Sequence, residues 1–157
     1  VWEWMRKIVE GAGIEGTFHC STDKTGFPIV SGGGCMSARD LARFGLLLLR
    51  GGEGVSGQRI SSKSFVRQTL DRKVKTFDPP RDTYGYSNQA FTNGRWLGHS
   101  GYGGQFLMVD TESDIVCVLF SVLENESAYD PGYSAKVVGC LQNICESDLT
   151  NKIKKGL

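Results

Sequence analysis

Residues 99–110 read HSGYGGQFLMVD, in which a short polar motif and a glycine-rich turn lead directly into an apolar run. Arg95–Gly98 before the motif and Gln105–Asp110 after the turn are rich in aromatic or branched residues, as half-buried strands are. Five glycines between Gly94 and Gly104 interrupt this pattern. Because glycine weakens a strand unless another group approaches the backbone closely, the cluster indicates a bulge or a ligand-facing edge.

His99 is one of only two histidines in the chain. A neutral imidazole beside the Ser100 hydroxyl and open backbone N–H groups can bind or polarise a carbonyl substrate. The alternative is a structural histidine beside a glycine-rich hairpin turn. The residues by themselves leave both interpretations open, because short motifs recur by chance.

The residues after this motif predict a β-hairpin. Residues 111–114 are a polar turn, and 115–123 form a continuous branched and aromatic run. Such a run is too apolar to have a solvated face, so we expect a central strand that is buried on both sides. Joined by a short turn, 105–110 and 115–123 are predicted to form an antiparallel hairpin in the middle of a sheet.

A helix is predicted in the N-terminal half of the chain, beginning after Ser37. Ser37 is a typical N-cap, and Asp40, three residues later, can reach back to it. Apolar residues then recur at helical spacing until Gly51-Gly52 ends the pattern: Leu41, Phe44, Leu47 and Leu48. Because residues 46–49 are all leucines, we expect this helix to be deeply packed.

Two further helices are expected. A shorter one begins at Ser61 or Ser62, and residues 71–83, which contain Pro79-Pro80, are expected to be an exposed connection. A last amphipathic segment, about 133–149, is the predicted cover for one face of the sheet. Its predicted buried stripe consists of Val137, Cys140, Leu141, Ile144 and Cys145.

Composition and charge exclude several classes of function. With 157 residues and a net charge of +1, the chain gives no reason to expect nucleic acid or an anionic membrane as a partner. The basic segment 152–155 is expected to be a solvated end. No apolar run approaches the length of a membrane span. Neither a cofactor nor a metal is expected, because the five cysteines contain no Cys-x-x-Cys pair and four convergent ligands are absent from the pattern.

The cysteines are expected to be reduced and structural. Cys117, Cys140 and Cys145 fall on predicted buried faces, where a free cysteine behaves as a small apolar residue. The odd count and irregular spacing favour free thiols, although the sequence also leaves a disulfide open.

The order of these segments resembles the C-terminal half of the serine β-lactamase-like superfamily. The resemblance covers about residues 11–147, and it is most similar to the branch with class C-like esterases, D-aminopeptidases and 6-aminohexanoate-dimer hydrolases. Four segments carry it: the Gly32-Gly33-Gly34 turn, residues 37–45 reading SARDLARFG, the Tyr84-Gly85-Tyr86 strand, and residues 98–104 reading GHSGYGG. The resemblance implies an α+β fold, an antiparallel β-sheet flanked by helices that forms part of a β-lactamase/transpeptidase-like fold.

One partial domain is expected to span 1–157. Its helical and loop part covers about 11–83, its sheet hairpins cover 84–123, and its C-terminal helix covers about 133–149. The resemblance makes this chain the C-terminal half of a β-lactamase-like domain.

The resemblance also implies roles for the motif that opens at His99. Members of the superfamily attack an ester or amide with the serine of a Ser-x-x-Lys motif, assisted by a Tyr-x-Asn tyrosine, and a third motif on a strand borders the site. His99, Ser100 and Gly101 match this third motif, and the backbone N–H of Tyr102 falls where an oxyanion donor is expected. The side chains of Tyr84, Tyr86 and Trp96 are candidates for lining the acyl pocket.

Two apparent matches to the missing motifs are rejected. Residues 21–24 spell Ser-x-x-Lys, but Gly26 and Pro28 follow, whereas serine and lysine share a catalytic face only when a helix holds them one turn apart. Residues 86–88 spell Tyr-x-Asn, but they follow the SARDLARFG segment, whereas the catalytic motif precedes it in the superfamily. The neighbouring His19 and Cys20 are interpreted as ordinary loop residues.

Two hypotheses about function follow. In the first, the chain is the C-terminal fragment of a serine hydrolase that cleaves a small ester, amide or β-lactam through an acyl-enzyme. Its Ser-x-x-Lys and Tyr-x-Asn motifs lie outside this sequence, and the full-length protein binds a small acyl substrate. In the second, the chain is a catalytically inactive β-lactamase-like module that binds a partner or has a structural role. In either case an exposed sheet edge can support self-association.

Overall fold

A computed structural model describes residues 1–71, 75–125 and 127–147. Its main feature is a five-stranded antiparallel sheet in the order β3-β4-β5-β6-β7, and a separate pair, β1 and β2, forms a small antiparallel sheet. The strands are β1 (His19–Cys20), β2 (Gly34–Cys35), β3 (Gly85–Ser87), β4 (Ala90–Thr92), β5 (Trp96–Gly101), β6 (Gln105–Asp110) and β7 (Ile115–Phe120). The described helices are α1 (Trp2–Ala12), α2 (Ala38–Leu49), α3 (Lys63–Asp71) and α4 (Pro131–Glu146). The architecture is α+β, an antiparallel sheet flanked by helices.

Each face of the main sheet is covered by different helices. On one face, Tyr84, which directly precedes β3, and buried residues of the strands pack with those of α4: Trp96, Phe106, Met108, Val137, Val138, Leu141 and Cys145. On the other, Leu97, Leu107 and Val109 pack with Val66 of α3 and with apolar residues of α2. Successive residues of a strand point to opposite faces, so Phe106 and Leu107 of β6 belong to different clusters. The sheet is therefore the middle layer, and β6 is buried along almost its whole length.

The predicted start of α2 is confirmed in detail. The Ser37 hydroxyl oxygen accepts a hydrogen bond from the Asp40 backbone N–H at 3.1 Å, and the hydroxyl donates to the Asp40 carboxylate at 2.8 Å. The buried Asp40 also accepts from the Glu15 backbone N–H and pairs with Arg43. The pKa of Asp40 is lowered, mainly by the Ser37 hydrogen bond. This cap fixes where the helix begins.

Helix α2 lies directly on the sheet at Gly45. A Cβ at this position would lie 2.5 Å from the Val116 Cγ1 atom, so only glycine allows this approach. Leu47 is buried, but the neighbouring Leu46, Leu48 and Leu49 are half-buried. The expectation of deep packing is therefore too strong, because only one of the four leucines is fully buried.

Helices α1 and α3 differ in how they begin. Ser62, and not Ser61, caps α3, since its hydroxyl oxygen accepts from the Phe65 backbone N–H at 3.2 Å. Helix α1 has no side-chain cap hydrogen bond, and Trp2 and Trp4 on it are exposed. In the described part of the chain, no helix combines the length and apolar content that crossing a membrane requires.

The prediction that 115–123 is a central strand buried on both sides is wrong. Strand β7 ends at Phe120, lies at the edge of the sheet, and pairs with β6 alone among the described residues. Residues 115–118 are half-buried, and Leu119 and Phe120 are exposed. The hairpin with β6 is confirmed, but its place in the middle of the sheet is not.

The predicted stripe of α4 is only partly correct. The helix begins at Pro131, where the Asp130 carboxylate accepts from the Tyr133 backbone N–H, and it ends at Glu146. Of the predicted stripe, Val137, Leu141 and Cys145 are buried, but Cys140 and Ile144 are exposed. Val138 and Ser134 complete the buried face, because the helix is rotated so that its 134–138–141–145 side meets the sheet. Residues 148–149 and the basic segment 152–155 lie outside the described residues.

A buried ion pair joins the start of β5 to the end of β6. The Asp110 carboxylate, 1% exposed, accepts from Arg95 Nε at 2.7 Å and from the backbone N–H groups of Glu112 and Ser113, each at 2.9 Å. Burial by itself raises the pKa of Asp110, but the hydrogen bonds from Ser113 and Arg95 outweigh it and hold the pKa below its ordinary value. Together with the Trp96↔Asp110 pairing, this contact sets the register of the strand that carries His99.

Candidate functional site

His99 lies near the end of β5, with both ring nitrogens within hydrogen-bond distance of neighbouring groups. Nδ1 is 2.8 Å from the Ser100 carbonyl oxygen, and Nε2 is 3.2 Å from the Tyr86 hydroxyl. The imidazole stacks on the Phe91 ring of β4, with the ring centroids 5.2 Å apart and the planes 5° from parallel. Two strands other than its own therefore hold the orientation of this side chain.

Tyr84 and Trp96 support this arrangement from the core and do not line the cavity described below. Both are almost fully buried in the cluster against α4. Their rings form a series that leads to the site: Trp96 contacts Tyr84 at 5.7 Å, Tyr84 contacts Phe91 at 5.4 Å, and Phe91 carries His99. Burial raises the pKa of Tyr84, so its hydroxyl stays protonated across the physiological range. Of the three candidate pocket residues, Tyr86 alone contacts His99, and it too is absent from the cavity lining.

A glycine turn joins β5 to β6 next to His99. Gly103 and Gly104 have φ of 87° and 103°, which side chains disfavour, and a Cβ at Gly104 would lie 2.5 Å from Ser121 Oγ. The Gly103 N–H donates to the Ala128 carbonyl at 3.1 Å, so the turn is tied to the segment before α4. Tyr102, 79% exposed, lies at the tip. Ser100 and Gly101 are the last residues of β5 and pair with Phe106 and Gln105 of β6, and Tyr102 directly follows them.

An apolar cavity of about 290 Å³ lies between α2, α3 and the sheet, and His99 belongs to its lining. Its walls are mainly apolar: Phe44, Leu48, Phe65, Val66, Ala90, Leu97 and Leu107. Thr69, Asn88, Gln89 and His99 are its polar members. A mainly apolar cavity with a few polar groups is the usual form of a small-molecule site.

Two of the four polar residues of the cavity come from the β3–β4 turn, which the sequence pattern did not reveal. Asn88 and Gln89 have φ of 47° and 64°, as the two central residues of a tight type I′ hairpin turn require. The Asn88 side-chain amide donates to the Thr69 hydroxyl at 3.2 Å, and Gln89 Oε1 lies 3.3 Å from the Tyr86 hydroxyl. An asparagine between two short apolar segments was the available signal, but the usual second glycine of such a turn is absent.

The rejected Ser-x-x-Lys match at 21–24 is a turn and not a helix. The Asp23 carboxylate accepts from the backbone N–H groups of Thr25 and Phe27 and from the Thr25 hydroxyl, which folds the segment back on itself. These hydrogen bonds lower the pKa of Asp23, the Thr25 side-chain bond most strongly. Ser21 and Lys24 therefore do not share a helical face. Over the described ranges, no group of three or more His, Cys, Asp or Glu side chains is arranged to hold a metal ion.

Comparisons of this chain with known proteins identify the family that it resembles. The family model described as Beta-lactamase matches residues 5–136. A 6-aminohexanoate-dimer hydrolase of Paenarthrobacter ureafaciens is 34% identical over 110 residues, which cover 64% of this chain and 28% of that protein. A solved structure from Bacillus anthracis, assigned as a 6-aminohexanoate-dimer hydrolase, has a TM-score of 0.63 and 26% identity, over 87% of this chain and 34% of its own.

This chain thus spans about a third of the length of these two relatives. The family match nevertheless extends from α1 into α4 and includes the strand that carries His99. Because it covers most of the sequence and agrees with the observed sheet and helices, this chain belongs to the beta-lactamase family.

Proposed function

We propose that this chain forms the substrate-binding wall of a serine hydrolase that cleaves a small ester, amide or β-lactam through an acyl-enzyme. The similarity to hydrolases of the beta-lactamase family supports a serine hydrolase kind of function. The nucleophilic serine, its lysine and the Tyr-x-Asn tyrosine would come from residues outside this sequence. His99, Ser100 and Gly101 then hold the acyl group, and the backbone N–H of Tyr102 polarises its carbonyl.

The observation that carries this proposal is that His99, the first residue of the motif, lines an apolar cavity. If the acyl chain of a substrate occupies this cavity, its carbonyl would lie beside the residues that follow His99 in β5. In acyl transfer, negative charge develops on the carbonyl oxygen, and a fixed backbone N–H stabilises it. One such donor contributes about 3 kcal/mol to the transition state. The Tyr102 N–H has this role in the proposal.

The names of the two relatives indicate a class of substrate for the proposed hydrolase. Both are named for the dimer of 6-aminohexanoate, an amide that joins two linear amino acids. The linear methylene segment of such an acyl chain suits the largely apolar walls of a 290 Å³ cavity. We therefore favour a linear amide or ester over a bulky substrate.

A chimaera tests the function. In it, this chain replaces the matching segment of the Paenarthrobacter ureafaciens hydrolase, which supplies the remaining residues. We expect the chimaera to release 6-aminohexanoate from the dimer. A chimaera that melts cooperatively but has no activity would instead favour a catalytically inactive β-lactamase-like binding or structural module.

Two substitutions at Tyr102 in this chimaera test the backbone donor. Tyr102→Pro removes the N–H and should lower kcat by about 100- to 1,000-fold, as loss of one oxyanion donor does. Tyr102→Phe keeps the N–H and changes only an exposed side chain, so its kcat should stay close to that of the parent. Equal losses in both folded variants would rule out the backbone donor.

The chain by itself provides a second check. Without a helical Ser-x-x-Lys among its described residues, it should form no covalent adduct with a fluorophosphonate probe. Intact mass spectrometry would detect an adduct, and stoichiometric labelling of Ser21 would contradict the interpretation of residues 21–24 as a structural turn.

A further inference from the structure

The hydrogen bonds of His99 determine which of its nitrogens carries the proton. The Ser100 carbonyl oxygen, 2.8 Å from Nδ1, can only accept a hydrogen bond, so Nδ1 must donate. In a neutral ring Nε2 is then an acceptor. The group facing Nε2 at 3.2 Å is the Tyr86 hydroxyl, which can donate.

We propose that Tyr86 is a positioning residue for His99, which it holds as the Nδ1–H tautomer with Nε2 available as an acceptor. The geometry supports this on two sides of the ring. Tyr86 is the cross-strand partner of Phe91 in the β3–β4 pair, and the Phe91 ring stacks on one face of the imidazole. The Tyr86 ring also contacts the imidazole edge at a centroid distance of 6.0 Å.

Gln89 gives the Tyr86 hydroxyl a second acceptor. Its Oε1 atom lies 3.3 Å from the hydroxyl oxygen, and the single hydroxyl proton can serve only one acceptor at a time. When the proton points to Nε2, the imidazole is fixed in its tautomer. When it turns to Gln89, Nε2 is released to accept an N–H from a bound molecule, and the hydroxyl keeps a partner.

The same three groups also accommodate a protonated ring. A charged imidazole donates from both nitrogens, to the Ser100 carbonyl and to the Tyr86 oxygen. The Tyr86 proton then points to Gln89 Oε1. In both charge states, therefore, the two ring nitrogens of His99 and the Tyr86 hydroxyl keep a hydrogen-bond partner within this set.

If Nε2 accepts a hydrogen bond from the amine side of a substrate, that role rests on the proposed function. The tautomer of His99 does not depend on the proposed function. The tautomer can be measured on this chain alone, so its failure is distinguishable from failure of the chimaera. In water, unconstrained histidine favours the Nε2–H form. The Nδ1–H form at position 99 is therefore a distinctive signature.

The experiment is a long-range proton–nitrogen correlation spectrum of the nitrogen-15-labelled chain at alkaline pH, where histidine is neutral. The chain has two histidines, and His19→Gln assigns the two sets of signals. We expect a protonated Nδ1 and an unprotonated Nε2 at His99. A predominant Nε2–H form at His99 would overturn the proposal.

Two variants identify the cause of the tautomer. Tyr86→Phe keeps the ring against Phe91 but removes the donor, and it should lower the ratio of Nδ1–H to Nε2–H about five-fold, which corresponds to about 1 kcal/mol, the net value of one hydrogen bond. Gln89→Asn, which asparagine's tolerance of positive φ permits, withdraws only the second acceptor and should leave the Nδ1–H form in place.

An unchanged ratio in Tyr86→Phe would show that the Ser100 carbonyl alone selects the tautomer, and would overturn the proposal. Amide spectra serve as the folding control, since changes confined to residues near 86 and 99 exclude loss of the sheet. If the amide spectrum of Tyr86→Phe changes globally, the test rests on the parent chain and on Gln89→Asn. Absence of the Nδ1–H form of His99 in either of these would also overturn the proposal.

Discussion

Replacing Asp110 with alanine should be among the most destabilising changes outside the apolar core. The carboxylate accepts three hydrogen bonds, from Arg95 Nε and from the backbone N–H groups of Glu112 and Ser113. Removal of one partner from a buried ion pair costs about 3–5 kcal/mol. Arg95 keeps 29% of its side chain exposed and still lies 3.3 Å from Glu112 and 3.7 Å from Glu146, so its remaining charge is partly solvated and partly paired, and we expect a loss of about 3 kcal/mol.

Urea unfolding followed by circular dichroism measures this loss, and Asp71→Ala is the matched control. Asp71 also pairs with an arginine, but both side chains are more than half exposed. Such surface pairs contribute about 0–1 kcal/mol. If Asp110→Ala lost no more stability than Asp71→Ala, the three hydrogen bonds would not stabilise the β5–β6 contact as argued.

The effect of Asp110 should also depend on pH. Because the native pKa of this carboxyl is lowered, its contribution is fully present above the unfolded pKa of about 3.9 and is lost as the pH falls through the native pKa. The difference between parent and Asp110→Ala should therefore shrink below about pH 4. A difference that grew in acid would contradict the sign of this shift.

Three further predictions concern the close approach of β5 and β6, the reactivity of the cysteine thiols, and self-association at the edge of the sheet. Gly98→Ala places a Cβ against the Leu107 carbonyl oxygen and should lower the free energy of unfolding in urea by about 2–3 kcal/mol. The control Gly139→Ala adds a Cβ in open space on α4 and should raise it by up to about 1 kcal/mol. Equal effects of the two changes would refute the close approach of β5 and β6. Burial and the neighbouring Cys117 raise the pKa of Cys145 to about 12, so a disulfide reagent at pH 8 should modify the exposed Cys140 and leave Cys145 unmodified until urea is added. The β7 edge should support self-association, which sedimentation velocity would detect as a concentration-dependent increase in mass, and a monomer at all concentrations would contradict it.

Local sequence signals predicted the parts of the fold that depend on neighbours in sequence. The Ser37 cap of α2 follows from capping chemistry, and the β6–β7 hairpin follows from a four-residue polar turn between apolar runs. The apolar run at 95–98 predicted only the first part of β5, which continues in regular pairing with β6 to Gly101. Each of these is decided by groups within a few residues of one another. The family resemblance predicted how these segments are arranged in one fold, which the residues by themselves do not establish.

The remaining features depend on contacts between distant segments. The apolar composition of residues 115–120 does not reveal that β7 lies at an edge, because this depends on which strands pair. The exposure of Cys140 reflects the rotation of α4 on the sheet by a fraction of a turn. For the same reason the sequence did not reveal that Trp96 and Tyr84 support His99 through Phe91 instead of lining the cavity.

The contact of Gly45 with Val116 has a consequence for how the chain folds. Helix α2 is synthesised before the strands that cover it, β6 and β7, which come much later in the chain. Contacts between such distant segments form slowly, because a long loop must close before they contribute. During synthesis the leucines at 46–49 therefore remain without their partner strands until β6 and β7 have left the ribosome, and this interval is when chaperone binding would matter most.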